Sequence, residues 1–260
     1  MHCSDSFRRC RCILALLALA LAVSGLTRGQ QPSKDIKFPY PERLTYRIEW
    51  RLVTAGNAVV QLSRGAPDDW EINLHLESAG LVSRLFRVLD NYKVVSNDQF
   101  CGTNSTFDAQ EGKRHIVTRL RFDNSRHKVE YDERDLVKNT SEKKDLDIAP
   151  CTYEVVGALA ALRAMNLQPG HQVNLPMTNG KKLVSVKIEG VSKENITVDG
   201  KSYPSTKYEA FLFDNVLFKR RGRLFLWITD DKDRIPLEFR LHLGFPTGTV
   251  TLQLEKRELL

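Results

Sequence analysis

The stretch that decides the fold is residues 222–243, Gly-Arg-Leu-Phe-Leu-Trp-Ile-Thr-Asp-Asp-Lys-Asp-Arg-Ile-Pro-Leu-Glu-Phe-Arg-Leu-His-Leu. Two runs of strand-forming residues flank a short charged turn from Thr229 to Arg234, a pattern that predicts a β-hairpin. In the second run, from Ile235 to Leu243, apolar and polar residues alternate. This period of two is typical of a strand that buries one face.

The first run of the hairpin is apolar on both faces. Leu224, Leu226 and Ile228 point to one side, whereas Phe225 and Trp227 point to the other. A strand of this kind lies between two layers, or between a core and something that binds.

Four aromatic side chains are therefore candidates for lining an apolar pocket on a concave sheet: Trp50, Trp70, Phe225 and Trp227. The alternative is that they fill the core together with a helix.

The same period of two recurs from residue 43 onwards, most clearly between Arg43 and Leu52. Short turns separate the first three alternating runs, which predicts an antiparallel meander there; roughly a dozen strands are predicted in all. Residues 80–90 fit either a short helix or a loop. Residues 132–149 are highly charged and predict an exposed loop.

One helix is predicted, from about Tyr153 to Leu167. Thr152 is a suitable N-cap, and Glu154 falls in the first turn, where a negative charge suits the helix dipole. The helix is apolar nearly all round, which predicts that it is buried. We therefore expect a mainly β protein, a single domain over residues 38–260. A curved antiparallel sheet, a barrel or half-barrel, packs there around one long buried helix.

Residues 1–25 have the pattern of a secretory signal peptide. A basic stretch precedes an uncharged run over residues 13–23, and small residues follow. The run is shorter than the roughly 20 apolar residues that a membrane-spanning helix needs. We expect export, cleavage of this leader, a flexible lead-in over residues 26–37, and a periplasmic or secreted mature chain that does not span a membrane.

Two cysteines, Cys101 and Cys151, follow the predicted leader. In an oxidising compartment they suggest one disulfide, worth about 4 kcal/mol in the chain-entropy model. The alternative is two separate buried thiols. Neither cysteine has a second Cys or a His at metal-ligand spacing, so no metal site is expected.

Catalytic signatures are lacking: the sequence has no nucleophile elbow, zinc-protease motif, phosphate loop or dinucleotide-binding turn. We therefore expect no catalytic residues, no cofactor and no enzyme activity. Asp230, Asp231 and Asp233 suggest a calcium loop, but the glycine and terminal glutamate of such loops are missing. A charged hairpin turn is the preferred interpretation.

The formal charge of +7 becomes +5 without the predicted leader, which carries three Arg and one Asp. Its densest basic block is Lys219, Arg220, Arg221 and Arg223. This block could touch an anionic lipid surface or an acidic partner; the alternative is a solvated turn. Export argues against nucleic acid as a partner.

Several motifs, and the order in which they occur along the chain, resemble the exported bacterial family known as domain of unknown function 3108. They are the opening at residues 38–46, the turn Ala55-Gly56, the helix end at residues 167–170, and the hairpin segments 226–231 and 234–237. The likeness covers nearly the whole mature chain, and it implies a bacterial envelope protein without an assigned activity. More loosely, the hairpin is similar to that of periplasmic lipoprotein carriers, whose half-barrels hold acyl chains.

Two functions remain open. The leading hypothesis is a non-enzymatic exported envelope protein that binds a hydrophobic ligand or a lipid-like envelope component. The second is a structural or assembly factor that acts through protein–protein contacts in the envelope.

Overall fold

The computed structural model describes residues 39–65, 69–244 and 247–260. The predicted signal peptide and lead-in lie outside the described residues. The strands are β1 Glu42–Trp50, β2 Val53–Arg64, β3 Trp70–Ser78, β4 Val88–Ser96, β5 Gly102–Glu111, β6 Arg114–Asp123, β7 Lys128–Asp135, β8 Thr140–Asp147, β9 Gln172–Thr178, β10 Leu183–Val198, β11 Lys201–Ala210, β12 Gly222–Thr229, β13 Pro236–Leu243 and β14 Gly248–Leu259. The helices are α1 Gly80–Leu85 and α2 Val155–Ala164.

All these strands form one antiparallel sheet in the order β8-β7-β6-β5-β4-β3-β2-β1-β14-β13-β12-β11-β10-β9. Two meanders, β1–β8 and β9–β14, meet where β1 pairs with β14. The mainly β, antiparallel prediction is confirmed. The sheet is not closed into a barrel, because β8 and β9 remain its two edges.

The sheet wraps around α2. This helix contacts both β4 and β9, which are nine positions apart in the strand order. Its small and apolar residues, Ala158, Ala161 and Leu162, join one core with inward side chains of the sheet. The hydrophobic core therefore lies on the inner face of the sheet.

Helix α2 is shorter than the predicted span from Tyr153 to Leu167, so the prediction of a long helix is wrong. Tyr153 stays extended because its N–H and C=O bond to Pro176 and Thr178 at β9. The N-cap is Glu154 rather than Thr152, and its carboxylate accepts hydrogen bonds from two N–H groups of the first turn.

The charged stretch 132–149 is mostly strand rather than loop. Strand β8 pairs with β7 in full register, and nearly all its side chains are exposed. It is an edge strand, and charged side chains are common there because they discourage pairing with other chains. The stretch 80–90 divides into α1 and the start of β4.

The predicted disulfide between Cys101 and Cys151 is present. It joins the connection between β4 and β5 to the segment that leads into α2. Beside it, the Gly102 N–H donates to the Thr152 carbonyl at 3.0 Å. The start of the helix is thus fixed to the sheet by one covalent bond and one hydrogen bond.

Candidate functional site

A cavity of about 380 Å³ lies between α2 and the inner face of the sheet. Strands β1–β4 form one side of it, β12–β14 form the other, and α2 covers it. The lining is largely aliphatic, with Leu44, Val60, Leu74 and Leu226 as representative members. These residues come from the period-two rows of their strands, so the alternation in the sequence builds the cavity wall directly.

Two small residues leave part of this space unfilled. Ala58 belongs to an inward row of β2 and is fully buried, and both Ala58 and Ala160 of α2 line the cavity. Protein interiors are otherwise packed to the density of organic crystals. An unfilled apolar space of this size is therefore a specific feature of the fold.

One end of the cavity, the closed end, carries a buried ion pair. Glu42 of β1 and Arg163 of α2 are both almost fully buried and bond to each other. Arg163 also donates to the carbonyls of Arg234, at 2.7 Å, and Asp233, at 2.9 Å. A second cation, Arg257, donates to Glu42 at 3.2 Å. These contacts satisfy both charges within the protein.

The Asp-rich turn of the β12–β13 hairpin supports this closed end. Asp233 pairs with Arg257 at 2.8 Å, and Asp231 accepts hydrogen bonds from the turn itself. Arg234 donates to the carbonyl of Met165, just after α2, and to the Tyr208 hydroxyl. The turn therefore anchors the helix end. Within the described ranges, no group of three or more His, Cys, Asp or Glu side chains could hold a metal ion.

The opposite end of the cavity, the open end, is partly exposed to solvent. Along β12, Ile228 and Leu226 are buried, whereas Leu224 is only half-buried. Phe218, in the connection before β12, lines the cavity and is 38% exposed. A ligand could therefore enter from this side.

The electrostatics around α2 are those of a dry interior. Burial raises the pKa of Glu154 to about 7, although hydrogen bonds from N–H groups of the first turn act in the opposite direction. Burial likewise raises the pKa of Tyr46 and Tyr92, two hydroxyl-bearing side chains of the cavity lining. At the edge of the inner face, burial and the nearby Glu111 raise the pKa of Asp90 to about 6. Burial thus disfavours the charged forms of these four groups, which have no ion-pair partner among the described residues of the kind that Glu42 has.

None of the four predicted aromatic residues is part of the cavity lining. Phe225 and Trp227 lie on the outer face of β12, where Lys207, Arg223 and Arg240 cover their rings. They therefore neither line the cavity nor pack in the core around α2.

Trp70 packs in the core around α2, and Trp50 lies at the end of β1. Trp70 is fully buried and stacks on Phe100 at 5.1 Å between ring centroids. Trp50, at the end of β1, donates its indole N–H to the Thr247 carbonyl at 2.6 Å.

The predicted basic block divides into two parts. Lys219, Arg220 and Arg221 are exposed beside Phe218 at the open end. Arg223 lies on the outer face of the sheet, where its guanidinium donates to both carboxylate oxygens of Glu209, at 2.7 and 2.8 Å.

Glu42 and Arg163 are not among the site residues predicted from the sequence, yet the sequence carries a signal for both. The alternation that places Leu44 and Tyr46 on the inner face also places Glu42 there. Arg163 is a lone cation within an apolar helix. Opposite charges in two elements that are otherwise buried favour a buried pair.

A family model described as "Protein of unknown function (DUF3108)" matches residues 45–255. No curated protein matches the chain. Among the helices of the described residues, none combines the length and apolar character needed to cross a bilayer.

Solved structures with a similar fold include a beta-barrel-like protein of domain of unknown function DUF1849 from Brucella abortus. It is 10% identical, and the match covers 86% of this chain and 99% of that chain with a TM-score of 0.57. A putative exported protein with a YmcC-like fold from Bacteroides fragilis is 8% identical, with 85% and 98% coverage and a TM-score of 0.37. At such identities the likeness to the first protein shows the fold alone.

Proposed function

The chain belongs to the DUF3108 family of proteins of unknown function, and we propose that it is a non-catalytic envelope protein that binds one apolar ligand beneath α2. The leader pattern of residues 1–25 and the disulfide support the assignment to an oxidising compartment outside the cytoplasm.

The aliphatic lining of the cavity is the observation that carries this proposal. Its volume of about 380 Å³ lies within the range of small-molecule sites, roughly 300–1,000 Å³. A dry apolar cavity of only about 150 Å³ already binds benzene in an engineered protein. A ligand that covers the half-buried leucines at the open end removes apolar surface from water, and this burial favours binding.

The two ends of the cavity favour a chain-like ligand. At the closed end, the charges of Glu42 and Arg163 are already satisfied by each other and by backbone groups, so a buried polar group gains little there. At the open end, a polar head group can remain in water. We therefore expect an acyl chain that enters with its methyl end first.

The lining also supports binding rather than catalysis. Among the described residues, it contains two ionisable side chains besides tyrosines, Glu42 and Arg163, and these are paired with each other. No nucleophile with an adjacent base is present among these lining residues.

Two neighbouring positions in β2 provide the test. Val60 faces the cavity, whereas Val59 faces outward and pairs with His75 on β3. Val60→Trp fills the space, so we expect it to weaken binding of a fluorescent fatty acid by at least about tenfold. Val59→Trp, the matched control, should leave binding unchanged.

Native mass spectrometry of the protein purified from cells gives the second readout. Bound lipid should appear with the wild type and with Val59→Trp, and it should be lost with Val60→Trp. Equal fatty-acid binding by both variants would contradict the proposal, as would a wild-type protein that neither binds the probe nor carries a lipid.

A further inference from the structure

The exposed apolar side chains of this protein are concentrated at one end of the strands, an edge of the molecule that is distinct from the sheet edges β8 and β9. Twelve large apolar side chains are exposed among the described residues, and eight of them lie at this edge: Leu52, Val53, Leu81, Leu85, Phe86, Leu136, Val137 and Phe218. Apart from Val53, which begins β2, they belong to four connections: residues 51–52, 79–87, 136–139 and 211–221. Together with residues 112–113, we call these connections the rim.

Hydrogen bonds tie the rim connections to each other or to residues beside them. The Gly112 N–H donates to the Arg87 carbonyl, which links two rim connections directly. The other bonds reach residues just outside the rim: Gly244 N–H to Arg221 O, Ala79 N–H to Ala55 O, and Leu136 N–H to His115 O. The same edge includes the open end of the cavity, because Phe218 belongs to both.

The rim is also strongly basic. Its five connections contain eight basic residues, Arg51, Arg84, Arg87, Lys113, Lys138, Lys219, Arg220 and Arg221, and a single carboxylate, Asp214. The opposite ends of the strands are net acidic: the turns at residues 97–101, 124–127, 199–200 and 230–235 contain Asp98, Asp199, Asp230, Asp231 and Asp233 against Arg126, Lys232 and Arg234. The charge of the molecule is therefore polarised along the strand direction.

The turn between β1 and β2 shows that the rim keeps an unfavourable residue. Arg51 and Leu52 form a two-residue turn with φ of 51° and 67°, where Asn and Gly are preferred. Leu52 is also 93% exposed. A leucine here opposes both backbone preference and solvation, as expected of a position that contacts another surface.

We propose that the rim docks onto an anionic lipid bilayer, with the open end of the cavity facing the membrane. Exposed Leu and Phe side chains flanked by Lys and Arg match the apolar boundary and negative surface of such a bilayer. A protein partner would also accept apolar side chains, but eight cations spread over five connections fit an extended, uniformly negative surface better. The docking needs no ligand in the cavity.

Vesicle sedimentation tests the charge requirement. We expect the full chain, with its N-terminus read by mass spectrometry, to bind vesicles of phosphatidylcholine with phosphatidylglycerol and to bind phosphatidylcholine alone much more weakly. Replacing Lys219, Arg220 and Arg221 by Ala should weaken binding about a hundredfold. High salt screens the charges and should also weaken binding, though only in part. The control is Arg126→Ala, an exposed cation on the opposite edge.

Depth-dependent quenching tests the orientation. Leu85→Trp adds an emitter on the rim, and Leu260→Trp adds one at the opposite edge, where Leu260 is 51% exposed. Brominated lipids should quench the added emission of the first variant only. This comparison separates the rim from residues 1–38, because both variants share that segment.

Three results would overturn the proposal: equal quenching of both variants, equal binding to neutral and anionic vesicles, or a triple Ala variant that binds like the wild type. If the Val60→Trp variant still binds vesicles, the docking proposal is upheld, even where the proposal of a cavity ligand is contradicted. Retention of a specific envelope protein by the rim, without vesicle binding, would make it a protein interface.

Discussion

At the scale of single residues, the pair Glu42–Arg163 is the contact whose loss should matter most. Arg163→Leu leaves a buried carboxylate with one fewer cation and removes the donor to two backbone carbonyls. We expect it to lower the free energy of unfolding by about 3–5 kcal/mol, measured by urea denaturation.

The matched control for this pair is exposed. Arg121 bonds to Glu130 at 2.9 Å, but its side chain is 74% exposed. Arg121→Leu should change stability by less than about 1 kcal/mol. Similar losses in the two variants would show that the buried pair has no special role.

Glu154 should make stability depend on pH. Burial raises its pKa from 4.5 to about 7 in the folded protein. At pH values between about 4.5 and 7, the Glu154 carboxyl is ionised in the unfolded chain but still protonated in the folded protein. The stability that this group contributes is therefore lost as pH rises through this range. The loss is on the order of 3 kcal/mol and is complete above about pH 7.

Glu154→Gln should abolish this part of the pH dependence. We expect the free energy of unfolding, measured by urea denaturation at pH values from about 4.5 to 7.5, to fall with pH in the wild type relative to the variant. The difference between the curves isolates Glu154 from Asp90, whose pKa is also raised. Two parallel curves would refute the prediction.

Residue identity predicted the cavity lining poorly for a physical reason. Aromatic side chains are large apolar surfaces, and therefore Phe225 and Trp227 were natural candidates. In the structure, Lys and Arg side chains cover these rings, which removes them from water without a second layer. The aliphatic face of the same strand, with Leu224 and Leu226, lines the cavity instead.

At the scale of secondary-structure elements, the β1–β2 turn offers a gain in stability. Leu52 has φ of 67° and is almost fully exposed, so Leu52→Gly removes backbone strain and loses little packing. We expect it to raise the free energy of unfolding by about 1 kcal/mol while it weakens vesicle binding.

The neighbouring residue supplies the control for this turn. Val53 is also half exposed, but it begins β2 and has no positive φ. Val53→Gly should lower stability by about 1 kcal/mol, because glycine is unfavourable in a strand. If both glycine variants shift the urea midpoint in the same direction, the turn is not strained.

Elements with a strong alternation were predictable, and elements fixed by tertiary contacts were not. Strand β1 shows its alternation in sequence and buries every second residue from Glu42 to Ile48. Strand β8 has no apolar row; backbone pairing with β7 and ion pairs such as Lys128–Asp147 and Lys143–Asp132 hold it, and neither gives a period-two apolar pattern in the sequence. The first residues of the predicted helix are not helical in the structure, because Tyr153 pairs with β9.

At the scale of the whole molecule, the disulfide should contribute stability by closing a long loop. Cys101 and Cys151 are 50 residues apart, so the chain-entropy model gives about 4 kcal/mol. Reduction, or the double change Cys101→Ser and Cys151→Ser, should lower the free energy of unfolding by about this amount. An unchanged urea midpoint after reduction would show that the loop is already restrained in the unfolded chain.

The fold class was predictable because short turns between alternating runs leave few arrangements besides a meander. The openness of the sheet was not predictable, since whether β8 and β9 meet depends on curvature rather than on pattern. The cavity was not predictable for a similar reason: it lies between elements that are distant in sequence, so no single local stretch encodes it.

The pairing of β1 with β14 has a consequence for biosynthesis. β1 is the first strand of the sheet to leave the ribosome and β14 the last, with about 200 residues between them. At about 5–20 residues per second, β1 waits roughly 10–40 s for its partner. During this time its unpaired edge can join a neighbouring chain instead. The yield of correctly folded protein therefore depends on how soon the end of the chain follows its beginning.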